Sequence, residues 1–288
     1  MTLPDYNALL HSNDFIPLVA EKLGRAPIDF FDKMNAVQKS RKSYRPLSAA
    51  GVLLLLHLKN DPDDPISEDG EFSFLLIKRS SKVQQPGDLS CPGGMMHRVI
   101  DPMLRPLVMG RILPILQGKA RHFALCRDHE TFRIMTLFLI NAIRESWEEM
   151  KLCPFNIQFL GPLPTYSLHL FKRIIFPLVG LVKKTGDLKP NSEVERIVEI
   201  PLKVFFDDSH YGMVHIEVSE PPGLRNHHPQ DFPCLIYRDG EGREEILWGA
   251  TFFIIMNFLK TVLYFKIPDT HSRRFIKKTL GVDYLTDR

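Results

Sequence analysis

The chain has 288 residues, 44% hydrophobic and 25% charged, a make-up that excludes disordered, coiled-coil and collagen-like classes. Thirty-seven Lys and Arg against 34 Asp and Glu leave a formal charge of +3, too small and too scattered to point to nucleic acid or a membrane as partner. The four cysteines, Cys91, Cys126, Cys153 and Cys234, are too far apart for a CxxC metal or redox pair or a dense disulfide framework. A reducing, cytoplasmic setting is the default expectation, because Met1 to Phe15 lacks the basic and apolar regions of an export signal.

In chain order, residues 1–47 read as a helical extension. Asn13 or Asp14 is placed to cap a helix from Phe15 to Leu23 that stops at Gly24, and a second short helix follows Pro27. Val52 to Leu56 is an apolar run of the buried-strand kind, and Phe72 to Lys78 reads as its hairpin partner across a polar loop from Asn60 to Gly70. Ser80 to Met96 is loop, yet Pro92-Gly93-Gly94 allows a tight turn and close backbone approach to a ligand.

Residues 97–135 carry seven Lys or Arg against Asp101, Asp128 and Glu130, a basic stretch with enough apolar residues to demand order. From Phe132 a helical period is clear through Met135, Phe138, Leu139, Ala142, Ile143 and Met150, and Pro154 ends it. Strands are expected at Ile174–Val182, Arg196–Ile200 and Leu235–Tyr237. A core helix follows at 251–267, interrupted by Asn257 and Lys260 and too short to span a bilayer. Strands bracketing helices, with hairpin signals as well, imply an α/β or α+β domain with a mixed sheet.

The chemistry concentrates on Arg144-Glu145-Ser146-Trp147-Glu148-Glu149. Spacings of three and four residues bring Glu145, Glu148 and Glu149 to one side of the helix. They read either as a solvated face softened by an Arg144–Glu148 pair or as ligands for a hard cation such as Mg²⁺.

Pro92-Gly93-Gly94 followed by Arg144-Glu145-x-x-Glu148-Glu149 resembles the Nudix box. Leu75 to Ser80, Gly87 and Cys91-Pro92-Gly93-Gly94 look like the extended motif of the coenzyme A pyrophosphatase branch. Leu160–Pro164, Phe176–Gly180, Asn191–Leu202 and Leu247–Thr251 follow in that branch's order.

The resemblance implies a Nudix fold over 48–288, a mixed sheet sandwiched between helices, with 97–135 as a helical insertion. It implies Mg²⁺ or Mn²⁺ on Glu145, Glu148 and Glu149, Arg144 orienting them, Gly93 and Gly94 shaping the loop, and Glu193 or Glu195 as general base, Glu193 being preferred. The implied reaction cuts a pyrophosphate bond in coenzyme A or an acyl derivative. Other dinucleotides such as NADH or ADP-ribose, and a catalytically silent nucleotide-binding domain, stay open, as does a homodimer.

The chain departs from the pattern at several places. The box's first glutamate is replaced by Thr136, or by Ile100 when counted forward from Gly94. Lys151 stands where a glycine is usual, Gln84 aligns with the branch's arginine, and Cys91 with its phenylalanine. Arg79, at a strand end, is suited to grip a phosphate. His227-His228 reads as a solvated loop pair and Trp248 as core. The insertion is expected to fold over one edge of the site and to offer Arg105, Arg111 or Lys119 to an anionic substrate. Asp101, Asp128 or Glu130 is a candidate substitute for the missing glutamate.

Overall fold

The computed structural model describes residues 14–59, 70–169, 171–218, 230–269, 274–280 and 284. The polar loop expected at Asn60–Gly70 therefore lies almost wholly outside the described residues, as does the start of the chain. Two helices come first, α1 (Phe15–Arg25) and α2 (Phe30–Ser40). They do not stand apart from the domain: Phe15, Val19 and Leu23 enter one half of the core, and Phe30, Met34 and Val37 the other.

Strand β1 (Ser48–Lys59) is the axis of an eight-stranded sheet. It pairs antiparallel with β2 (Glu71–Arg79) and β4 (Gly93–Met95), and parallel with β7 (Arg173–Val182). Layers on both faces explain why Leu53 to Leu56 are all apolar and all buried. Beyond these, β3 (Leu89–Ser90) and β8 (Val194–Pro201) join β2, while β5 (Ile157–Pro162) and β6 (Tyr166–Leu168) join β7. The parallel β1–β7 pair requires a long crossover, and the basic segment supplies part of it.

That segment is helical, as expected, with α3 (Ile100–Met109) and α4 (Gly118–Leu125). Its last residues belong to the next element, because α5 (His129–Met150) begins three residues before the apolar period becomes legible at Phe132. Asp128 caps α5 by accepting a hydrogen bond from Thr131 N at 2.9 Å. The helix ends at Lys151 in the left-handed conformation (φ 58°).

Helices α2, α3, α4 and α5 cover one face of the sheet, where Phe138 stacks on Phe176 with centroids 3.8 Å apart. The other face is covered by α1 and α6 (Gly249–Leu263). The fold is therefore a mixed α/β layer structure with the sheet between helices.

A second sheet was not anticipated from the sequence. It runs β11-β10-β9-β12, from β9 (Tyr211–Val218), β10 (Gln230–Arg238), β11 (Glu244–Leu247) and β12 (Phe275–Leu280). Asp88 ties it to the loop before the glycines, accepting from Trp248 Nε1 at 3.1 Å and also from Lys278 and Tyr284. Trp248, expected in the core, is half-buried between the rings of Phe232 and Tyr284. No helix among the described residues is long and apolar enough to cross a membrane.

Candidate active site

A cleft of about 440 Å³ opens at the end of the sheet bearing β4, a size within the roughly 300–1,000 Å³ of small-molecule sites. Its carboxylates come from α5, which packs on the opposite face of the sheet. They reach the cleft because β4 has no side chains in their way. A Cβ on Gly94 would lie 2.6 Å from Cδ of Glu145. One on Gly93, whose φ is +149°, would collide with the Gly51 carbonyl and lie 2.6 Å from Cα of Val52. The Gly93 N–H donates to Glu149 Oε2 at 2.9 Å. The glycine pair thus serves as a window through which the helix presents Glu145 and Glu149.

Glu149 is 6% exposed. Burial pushes its carboxyl up to about 8 against the pull of the Gly93 N–H, and the neighbouring charges of Glu145 and Glu193 add to the rise while Arg79 opposes it. Glu145 is also raised by burial, with Arg144 pulling the other way. Glu193 lines the same cleft from the loop before β8. It is held there by two backbone bonds, its N–H to Asn191 Oδ1 at 2.8 Å and its carbonyl from Ser80 N at 2.8 Å.

Cations share the cleft with this acidic group. Arg79, Lys82 and Arg173 line it, and Arg79 Nε is fixed on the Gln84 carbonyl at 2.7 Å. The remaining walls are largely apolar, with Ala50, Val52, Leu168 and Ile175 from the sheet and Ala250 and Ile254 from α6. The contribution of Arg173 and of α6 was not visible in the sequence, where nothing marks a strand-initial arginine or a core helix as cleft-lining.

Arg144 organises the acidic end without entering the cleft. Nε donates to Asp101 Oδ1 at 2.8 Å, Nη2 to Glu145 Oε1 at 2.8 Å, and Nη1 to both oxygens of Glu148 at 3.0 and 3.1 Å. Burial alone would weaken its charge, but these three carboxylates outweigh that and hold its pKa above the ordinary arginine value. Asp101 is fully buried and also accepts from His97 N at 2.7 Å. Of the three acids in the basic segment it is the one brought to the site. It lies a single residue past Ile100, so allowing a one-residue slip in the count from Gly94 would have found it. Thr136, by contrast, is occupied with Arg105 Nε at 2.7 Å and the Phe132 carbonyl at 2.9 Å.

Several expectations need correction. Glu145 and Glu149 reach the cleft, but Glu148 is half-exposed, bound to Arg144, and not among the cleft-lining residues. Arg105, Arg111 and Lys119 do not line it either. Arg105 is turned to Thr136, and Lys119 Nζ lies 3.8 Å from Glu21, because the insertion packs on the far face of the sheet. Glu195 points to Lys78 Nζ at 3.6 Å and leaves the cleft to Glu193. Cys91, where the resemblance has a phenylalanine, is buried, and burial pushes its thiol up to about 12. His227 and His228 lie outside the described residues.

Among the described residues, no group of three or more His, Cys, Asp or Glu side chains is arranged as a cation cage. The donor set nonetheless suits one class of ion. Three carboxylates in a cleft, Glu145, Glu149 and Glu193, with no His or thiolate, match a hard cation that keeps several waters and shares substrate phosphates.

No protein-family model matches the chain, and no curated protein sequence matches it. Solved structures with a similar course of chain include a C. elegans Ap4A hydrolase binary complex, 13% identical over 55% of this chain and 82% of that one, with a TM-score of 0.32. A Nudix hydrolase from Alicyclobacillus acidocaldarius is 10% identical over 55% and 81%, with a TM-score of 0.35. The Nudix domain of Shewanella oneidensis NrtR, complexed with ADP-ribose, is 12% identical over 56% and 77%, with a TM-score of 0.33.

Proposed function

We propose that this chain is a Nudix-type pyrophosphohydrolase that cleaves a nucleoside diphosphate derivative, with coenzyme A or an acyl-coenzyme A as first candidate. The observation that carries the reading is the delivery of Glu145 and Glu149 through the Gly93–Gly94 window into one cleft that also holds Glu193, Arg79 and Lys82. Mg²⁺ or Mn²⁺, held by Glu145 and Glu149, would supply neutralisation of diphosphate oxygens and a lowered pKa for an attacking water.

The chain's own residues do the rest. Arg79 and Lys82 hold phosphate oxygens, and Arg144 fixes Glu145 from behind. Glu193, set on its loop by two backbone bonds, takes the proton of the water that attacks phosphorus. The apolar wall from Val52 to Ile254 accommodates the uncharged part of the substrate. The intact Glu145 and Glu149 support hydrolysis. The change at Gln84 bears only on which dinucleotide enters, so NADH and ADP-ribose belong in the same test.

Purified protein incubated with coenzyme A, NADH or ADP-ribose, with Mg²⁺ or Mn²⁺ or with excess chelator, should release two monophosphate-bearing products from at least one substrate, and only with metal. Tight nucleotide binding without turnover of any of them would instead make the domain a silent binding module.

A further inference from the structure

Helix α3 is apolar on both sides. Its inner face, Leu104, Leu107 and Val108, packs into the core beside α5, and its one acid, Asp101, is buried in the pair with Arg144. Its outer face consists of Ile100, Pro102, Met103, Pro106 and Met109, all exposed, Met103 to 72%. Val99 and Ile112, also exposed, extend the ridge past both helix ends. A surface helix normally turns polar and charged residues outward, and this outer face has none.

Along the sequence the charges flanking the ridge have one sign, and the exposed Glu148 of the neighbouring helix is already paired with Arg144. Arg98 and Arg111, both exposed, stand just beyond its two ends. From Pro102 to Arg127 the sequence contains neither Asp nor Glu. The small net charge of the whole chain conceals this local excess.

Three covers are conceivable for such a ridge. A second copy is disfavoured, because an isologous contact would set Arg98 and Arg111 of one copy against those of the other. A protein partner would be expected to engage aromatic or arginine anchors at the centre of the contact, and the centre of this stripe, Pro102, Met103 and Pro106, has neither. An anionic lipid interface needs no shape complementarity. It accepts apolar side chains at the acyl boundary and attracts arginines to the headgroup phosphates.

We propose that the ridge on α3 is a membrane-surface contact that seats the chain reversibly on an anionic bilayer.

The test is co-sedimentation of the full chain with vesicles of phosphatidylcholine alone or mixed with phosphatidylglycerol, and it does not read hydrolysis. The expected result is binding to the mixed vesicles that weakens by about tenfold or more on neutral ones and in high salt. The double variant Met103→Asp, Met109→Asp should lose binding by about tenfold or more with an unchanged melting temperature, since both side chains already face water. Arg98→Glu with Arg111→Glu, which leaves the ridge intact, should also weaken it. The proposal is overturned if the wild type stays in the supernatant with both vesicles, or if the ridge variant binds as the wild type does. It also fails if sedimentation velocity shows a wild-type dimer that Met103→Asp splits, which would give the ridge to a second copy.

Discussion

Two glutamates are buried to nearly the same degree at different places on this molecule, Glu149 at the cleft and Glu245 between the two sheets, 6% and 3% exposed. Glu245 is met by cations, Lys78 Nζ at 3.1 Å and Arg196, the latter also tied to Asp239 at 3.1 Å. Glu149 is met by one backbone N–H, with Glu145 and Glu193 in the same cleft. A buried carboxylate with paired cations is a structural joint. One set among other carboxylates, behind a window made by two glycines, is arranged for a charge that arrives with a ligand.

Removing each charge in turn should separate the two cases. Glu149→Gln should lower hydrolysis by about a thousandfold, on the order of 4 kcal/mol in the barrier, while the melting temperature stays the same or rises, because the amide oxygen still accepts from Gly93 N. Glu245→Gln should do the reverse. Calorimetry should find it destabilised by about 2 kcal/mol, since Arg196 and Lys78 would lose their buried counter-charge and keep only Asp239 and Glu195, with kcat within about twofold of wild type. Equal loss of stability in the two variants would erase the distinction.

The comparison also shows what the sequence could tell. The central strand, its hairpin partner, the long helix and the C-terminal core helix were legible because each has a strong apolar period or run. The glutamates and glycines stood out through their resemblance to a family motif, since helical spacing alone left a solvated face equally open. The second sheet was not, since β9 and β12 pair across more than 50 residues. Nor was the direction of each charge. Arg105 and Glu195 look as available in sequence as Arg79 and Glu193, and only the sheet decides which face each one meets.

Asp101 tests the link between the insertion and the cleft. Asp101→Asn leaves a neutral partner for Arg144, so stability should fall by about 1–2 kcal/mol and kcat by about tenfold, with KM little changed, because Arg144 then holds Glu145 less firmly. An unchanged kcat would reduce the pair to a fastening of α3. The smallest expected effect is at the end of the same helix. Lys151 adopts the left-handed conformation in which glycine meets no Cβ penalty. Lys151→Gly should raise stability by about 0.5–1 kcal/mol, offset in part by the lost contact of Lys151 Nζ with the Trp147 ring at 5.4 Å. Thermal melts are sufficient to read it.

The most direct test of the difference between the two buried glutamates is Mn²⁺ uptake, followed by electron paramagnetic resonance in the wild type, Glu149→Gln and Glu245→Gln. The wild type and Glu245→Gln should both withdraw Mn²⁺ from solution, and Glu149→Gln should bind it about tenfold more weakly or less. Equal uptake by all three proteins, or none by the wild type, would contradict a cation site at the glycine window.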